Sequence, residues 1–152
     1  MDMSWLNRGE KIAGVSGALL IVIMFVFPWF AVKLGAGVVA LPNERTRDAW
    51  SSYGFTDVVL LVTAVAAIGL VLLAAAGRSR PTLASSLVAG LGLASVVLVV
   101  ISIISPPTLG FASGPGIEHS RKIGVWLGLL AALGVAVGGY MAAQEDEPSS
   151  DP

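Results

Sequence analysis

Cysteine is absent from this sequence of 152 residues, and histidine occurs once, at His119. Without cysteine there are no disulfides, thiolate nucleophiles or cysteine metal sites. One histidine beside Glu118 supplies too few ligands for a metal, and we interpret this pair as exposed loop residues. We therefore expect neither a cofactor nor a metal site.

Charged residues are also scarce, at 12% of the chain, and nine basic against ten acidic residues give a net charge of −1. Such a chain has no basic field with which to hold nucleic acid by its phosphates. Hydrophobic residues make up 55% of the sequence, and the mean hydropathy is +0.84. This composition cannot cover a water-soluble globule with polar groups, so we expect a membrane protein.

Several catalytic signatures are missing from the sequence. It has no phosphate-cradling glycine loop that ends in Lys-Ser/Thr, no serine elbow between glycines and no histidine pair at helical spacing. We therefore expect no enzymatic activity.

Four apolar stretches dominate the chain, and at 1.5 Å per residue each is long enough for a hydrocarbon layer of roughly 30 Å. The first is too long for the apolar part of a signal peptide. We predict an all-α membrane protein whose four transmembrane helices form an up-down-up-down antiparallel bundle. The predicted boundaries are an N-terminal cytoplasmic segment 1–11, spans 12–32, 57–76, 83–104 and 122–143, external loops 33–56 and 105–121, a basic hairpin 77–82 and a disordered acidic tail 144–152.

Orientation depends on lysine and arginine near the ends of the spans, and here the count is nearly tied. The side of the termini has four such residues and the other side has five: Arg8, Lys11, Arg78 and Arg80 against Lys33, Arg45, Arg47, Arg121 and Lys122. The short hairpin at Arg78 and Arg80 is purely basic, so we predict cytoplasmic termini.

Small residues recur one helical turn apart in two spans. In membranes such residues allow close helix approach, because packing replaces the hydrophobic effect between helices. The fourth span has Gly124, Gly128, Ala132 and Ala136, and the third has Ser86, Gly90 and Ala94. Each stripe is expected either to pack against helices of the same chain or to build a homo-oligomer.

Asp57 is the most unusual residue for its position, because a carboxylate at the edge of a span is costly if it faces hydrocarbon. Its simplest role is to cap the second helix together with Thr56. Arg121 and Lys122 enter the fourth span on the same side, so an ion pair with Asp57 is a second possibility, and proton handling is a third. No other acid falls inside a predicted span, and we expect the hydroxyls of the spans to bond to carbonyls of their own helices.

Several short motifs resemble uncharacterised four-helix integral membrane proteins of actinobacteria. They are Asn7-Arg8-Gly9-Glu10, Phe27-Pro28-Trp29-Phe30, Phe55-Thr56-Asp57, Arg121-Lys122-Ile123-Gly124-Val125-Trp126-Leu127-Gly128 and Gly138-Gly139-Tyr140. The resemblance implies a bacterial plasma-membrane protein, and it implies no particular activity.

The functional prediction is a small, non-enzymatic membrane protein of structural or accessory type. Its partners would be the lipid bilayer and either further copies of itself or a larger membrane protein, bound through the small-residue faces. The alternative is a small oligomeric channel or carrier for protons or small cations, with Asp57 near its mouth.

Overall fold

The computed structural model describes residues 6–34, 44–47, 54–77, 82–105 and 117–145. In this part of the chain there are four helices and three short strands. In chain order they are α1 (Arg8–Val26), β1 (Phe30–Leu34), β2 (Glu44–Arg47), α2 (Gly54–Ala75), α3 (Thr82–Ile104), β3 (Ile117–Arg121) and α4 (Ile123–Glu145).

The four helices are each long and apolar enough to cross a membrane, which confirms the prediction of four long apolar helices. Large apolar side chains such as Val15, Leu72 and Leu130 are exposed on their outer faces. A water-soluble bundle would place polar groups there, so the exposed faces match a hydrocarbon environment. The acidic tail predicted at 144–152 lies outside the described residues beyond Glu145.

The first helix begins and ends earlier than the predicted span 12–32. Asn7 and Glu10 form a capping box that starts the helix at Arg8. The helix ends at Val26, since Pro28 cannot donate a backbone hydrogen bond and disfavours a helical conformation at Phe27. The last three residues of the predicted span therefore belong to β1.

A three-stranded antiparallel sheet with the order β2-β1-β3 was not predicted from the sequence. It corrects the external loops 33–56 and 105–121, because Glu44–Arg47 and Ile117–Arg121 are strands within them. The sheet stands where α1 ends and α4 begins, so it joins two distant parts of the chain.

The four helices pack side by side in the spatial order α2, α1, α4, α3. Because α3 also contacts α2, each helix has two neighbours in this ring. Glycine and alanine form the closest contacts, as in Gly17 against Ala67 and Gly92 against Ala136. At the far end of α2, Gly77 adopts a φ of 63°, a conformation that favours glycine and that ends the helix as its sequence predicts.

Candidate functional site

The first part of the α4 stripe is covered by the segment that follows α1. A Cβ atom on Gly124 would lie 2.5 Å from the Pro28 carbonyl oxygen and 2.6 Å from Trp29 Cδ1. A Cβ atom on Gly128 would lie 2.5 Å from Trp29 Cζ2. Real Cβ atoms essentially never lie this close to another heavy atom, so only glycine fits beneath the indole ring.

Trp29 is held in place by hydrogen bonds on both sides. Its indole N–H donates to the Ile23 carbonyl at 3.1 Å, near the end of α1. Its own carbonyl accepts the Lys122 N–H at 2.9 Å, and the Pro28 carbonyl accepts the Gly124 N–H at 3.0 Å. These bonds satisfy donors at the start of α4, where a helix has no internal partners for them. The sequence motifs at residues 27–30 and 121–128 are therefore in contact with each other.

The second part of α4 packs against α1 and α3. A Cβ atom on Gly138 would lie 2.8 Å from the Gly9 carbonyl oxygen and 2.9 Å from Ala13 Cα, both backbone atoms. Ala132 is fully buried, and Ala136 lies against Gly92 of α3. The α4 stripe is therefore used inside the chain. The motifs 7–10 and 138–140 also meet here.

The α3 stripe has a different environment. Ser86, Gly90 and Ala94 are all exposed, and a Cβ atom on Gly90 would have no neighbour within 4 Å. A groove of about 420 Å³ lies between α3 and α4 on one side of the stripe, and a groove of about 320 Å³ lies between α2 and α3 on the other. This stripe is a ridge of small residues with a hollow on each side.

Asp57 is 2% exposed, so the carboxylate faces the interior of the protein and not the hydrocarbon. The helix α2 begins at Gly54, and Asp57 therefore lies in its first turn. The predicted helix start at residue 57, with Thr56 as a cap, is corrected by this boundary. A negative charge in the first turn is stabilised by the helix dipole.

Arg121 is exposed, and its Nε–H donates to the Ile103 carbonyl at 2.6 Å. This bond satisfies a carbonyl in the last turn of α3, which has no partner within the helix. Lys122 is partly buried beside it. The predicted ion pair of Asp57 with these two residues remains a prediction.

Glu10 is a second buried carboxylate, with no exposed surface, inside the first turn of α1. Its Oε2 accepts the Asn7 N–H at 3.1 Å, and the Asn7 Oδ1 accepts the Glu10 N–H at 2.8 Å. Glu10 lies before the predicted first span 12–32, and it enters the helix because α1 begins at Arg8. The available signal was an asparagine followed three residues later by a glutamate, directly before an apolar run.

Two hydroxyls inside the helices bond to carbonyls of their own helices, as expected, but Thr63 is also within hydrogen-bond distance of the Leu91 carbonyl of α3, at 3.3 Å. Thr63 donates to the Val59 carbonyl and Ser102 to the Leu98 carbonyl, both at 2.8 Å. Thr63 Oγ1 also lies 2.8 Å from Ser95 Oγ, which links α2 to α3.

His119 was predicted in a loop but lies in β3, opposite Val32 in the register. Within the described ranges, no three His, Asp or Glu residues are grouped as a metal site.

Comparison with known proteins adds no assignment. No family model matches the chain, and no curated protein matches it significantly.

Proposed function

We propose that this chain is a small, non-enzymatic membrane protein of structural or accessory type that associates through the exposed stripe of α3. The observation that carries the proposal is the open environment of Ser86, Gly90 and Ala94. Small residues in a membrane helix cost side-chain contacts unless another helix lies against them. For the α4 stripe, the chain itself supplies the covering contact. For the α3 stripe, we propose that a helix of a partner supplies it.

The shape around the stripe supports the same proposal. Leu87 and Leu93 are exposed beside the ridge, and each also lines one of the two grooves. A helix that crosses α3 at Gly90 would place its own large side chains into these grooves. The interface would then resemble ordinary ridge-into-groove packing. We take the partner to be either a second copy or a helix of a larger membrane protein.

The arrangement that we propose is an up-down-up-down bundle in a bacterial plasma membrane, with cytoplasmic termini. Contacts between α1 and α4 support antiparallel neighbours, because Gly9 lies against Gly138 and Ser16 lies against Gly134. Residue numbers therefore rise along one helix as they fall along the other. The resemblance of the sequence motifs is the support for the bacterial plasma membrane, and the basic hairpin at Arg78 and Arg80 is the support for the orientation.

The test compares Gly90→Leu with Ala18→Leu. Both residues are small and exposed, but Ala18 lies on α1 and lines neither of the two grooves beside the α3 stripe. We expect Gly90→Leu to weaken self-association in liposomes at least about tenfold. The measurement is resonance energy transfer between labelled copies at increasing lipid dilution.

The control variant Ala18→Leu should leave association unchanged, because α1 is not among the helices that line the grooves beside the α3 stripe. Equal transfer in the parent and in Gly90→Leu would rule out a homo-oligomer through this face. A parent that is monomeric at every lipid dilution would likewise rule out self-association through α3.

A proton or cation channel with Asp57 near its mouth is the alternative. Burial of both Asp57 and Glu10 supports it, because intramembrane acids often mark ion paths. The hydrogen bonds of Thr63 and Ser102 to their own helices favour a structural role instead. Proton flux into proteoliposomes that falls in Asp57→Asn would favour the channel, and absence of flux in the parent would remove it.

A further inference from the structure

A groove runs along the outer surface of the bundle between α1 and α4. In the described part of the chain its lining comes from α1, from Phe27 just after it and from α4. The walls include Leu19 and Val22 of α1 and Leu130 of α4, which are exposed, and Ala131, which is buried. The groove is therefore mainly apolar, open to lipid and separate from the α3 stripe.

Close contacts between the α1 segment and α4 bound the groove at both ends. At one end, the Ser16 hydroxyl fills the space that a Cβ atom on Gly134 would need. At the other end, the Gly124 N–H donates to the Pro28 carbonyl at 3.0 Å. Between these contacts the helices carry large side chains at their outer edges, such as Leu130, and a hollow is left between them.

The length of the groove matches one leaflet. Ser16 lies near the middle of α1, and Phe27 directly follows its end at Val26. The rise from residue 16 to residue 27 is roughly 16 Å at 1.5 Å per residue. Half of the hydrocarbon core of a bilayer is about 15 Å. The groove therefore extends from about the centre of the bilayer to the sheet-side edge of the hydrocarbon, which is the depth that one acyl chain occupies.

The width of the groove favours a hydrocarbon chain over a helix. Its volume is about 370 Å³. Over the length given above, this volume corresponds to a cross-section of roughly 20 Å², whereas a helix about 10 Å across has a cross-section of roughly 80 Å². A helix could therefore reach into the groove only with single side chains, while an extended chain could lie along all of it.

We propose that this groove binds one acyl chain of a phospholipid from the leaflet on the sheet side. Between lipid and protein in a membrane there is no hydrophobic gain, so the preference for the groove depends on van der Waals packing. A chain in the groove contacts α1 on one side and α4 on the other, and a chain on a flat outer face contacts the protein on one side only. We expect a preference of at least about fivefold, which corresponds to about 1 kcal/mol.

The test is photolabelling in liposomes by a phosphatidylcholine that carries a diazirine in one acyl chain. Mass spectrometry of the digested protein then locates the adducts. Val22 and Val62 are both 49% exposed, but Val22 lines the groove and Val62 lies on α2. We expect labelling around Val22 and Leu130 to exceed labelling around Val62 at least about fivefold.

The variant Val22→Phe places a larger side chain in the groove and should lower the labelling there to the level around Val62. The matched control Val62→Phe adds the same bulk on α2 and should leave the labelling of the groove unchanged. Val22→Ala keeps the groove open and should keep the labelling, which separates occupancy of the groove from a general effect of substitution at this position.

Three outcomes would overturn the proposal. Equal labelling around Val22 and Val62 in the parent would mean that lipid contacts the whole outer surface alike. Weaker labelling in the groove than around Val62 would mean that a helix of another protein covers it. Labelling of the groove that persists in Val22→Phe would mean that the chain lies elsewhere.

Discussion

The small-residue stripes of α4 and α3 look alike in the sequence, but they have opposite environments in the protein. Gly124, Gly128 and Gly138 lie against other parts of the chain, and a methyl group at any of them would overlap neighbouring atoms. Gly90 lies in the open. Spacing alone therefore predicts a face that allows close approach, and it does not predict whether the same chain covers that face.

What covers the α4 stripe is mainly one aromatic ring and one helix. The Trp29 indole lies over Gly128, and α3 lies against Ala136 at Gly92; beside the stripe, the backbone of α1 lies over Gly138. The contact of Trp29 with the stripe is distant in sequence, since Gly128 lies 99 residues after Trp29. The following predictions separate the covered stripe from the open one.

Replacing Trp29 with alanine should have the largest effect. The ring is buried and donates to the Ile23 carbonyl, so its loss leaves a cavity over Gly128 and removes one of the two hydrogen bonds that this carbonyl accepts, the other coming from the Phe27 N–H. We expect a loss of about 3–5 kcal/mol in the free energy of unfolding. The measurement is equilibrium unfolding in mixed micelles with increasing dodecyl sulfate.

Trp126→Ala is the matched control, because Trp126 is half exposed on the outer face of α4. It should cost about 1 kcal/mol or less. Equal losses in the two variants would show that the contact of Trp29 with the α4 stripe is not what stabilises this end of the bundle.

Replacing Gly138 with alanine should have the next largest effect. The added methyl group would meet the Gly9 carbonyl oxygen and Ala13 Cα, and backbone atoms cannot move aside as a flexible side chain can. Separation of α1 from α4 should cost about 1–3 kcal/mol. Unfolding in the same micelles measures it, and an unchanged midpoint would contradict the close contact of these two helices.

The sequence predicts the four spans well because lipid demands long apolar segments in which the backbone satisfies its own hydrogen bonds. It also predicts that Gly124 and Gly128 lie in a contact. The covering group was harder to predict, since Trp29 has the character of an exposed interfacial aromatic residue. Only the folded chain brings the Trp29 ring against Gly128 of α4.

The sheet could not be predicted for a different reason. Its strands are four or five residues long, and charged residues make up three of the four in Glu44–Arg47 and two of the five in Ile117–Arg121. Short charged runs have little strand propensity of their own. They pair here because α1 and α4 pack together and bring β1 and β3 side by side, which is a tertiary effect.

Gly90→Ala should change stability in the opposite direction from Gly138→Ala. The new methyl group has no neighbour within 4 Å, and alanine is the better helix former, so the monomer should gain about 0.5–1 kcal/mol. Unfolding at high detergent excess, where copies are separated, measures this gain. A loss of stability would mean that the chain itself covers this face of α3.

The smallest effect concerns how α3 is attached on its inner side. There the contact is polar, since Thr63 Oγ1 and Ser95 Oγ lie 2.8 Å apart between α2 and α3. A double-mutant cycle with Thr63→Val and Ser95→Ala should give a coupling of about 0.6 kcal/mol, the usual size for hydroxyl pairs between membrane helices. Ser102→Ala is the control, because the Ser102 hydroxyl donates to the Leu98 carbonyl of its own helix. If Thr63 couples to Ser102 as strongly as to Ser95, the effect belongs to the helix backbone. If the coupling to Ser95 is clearly larger, this hydroxyl pair holds α3 to α2, while the opposite face of α3 stays open.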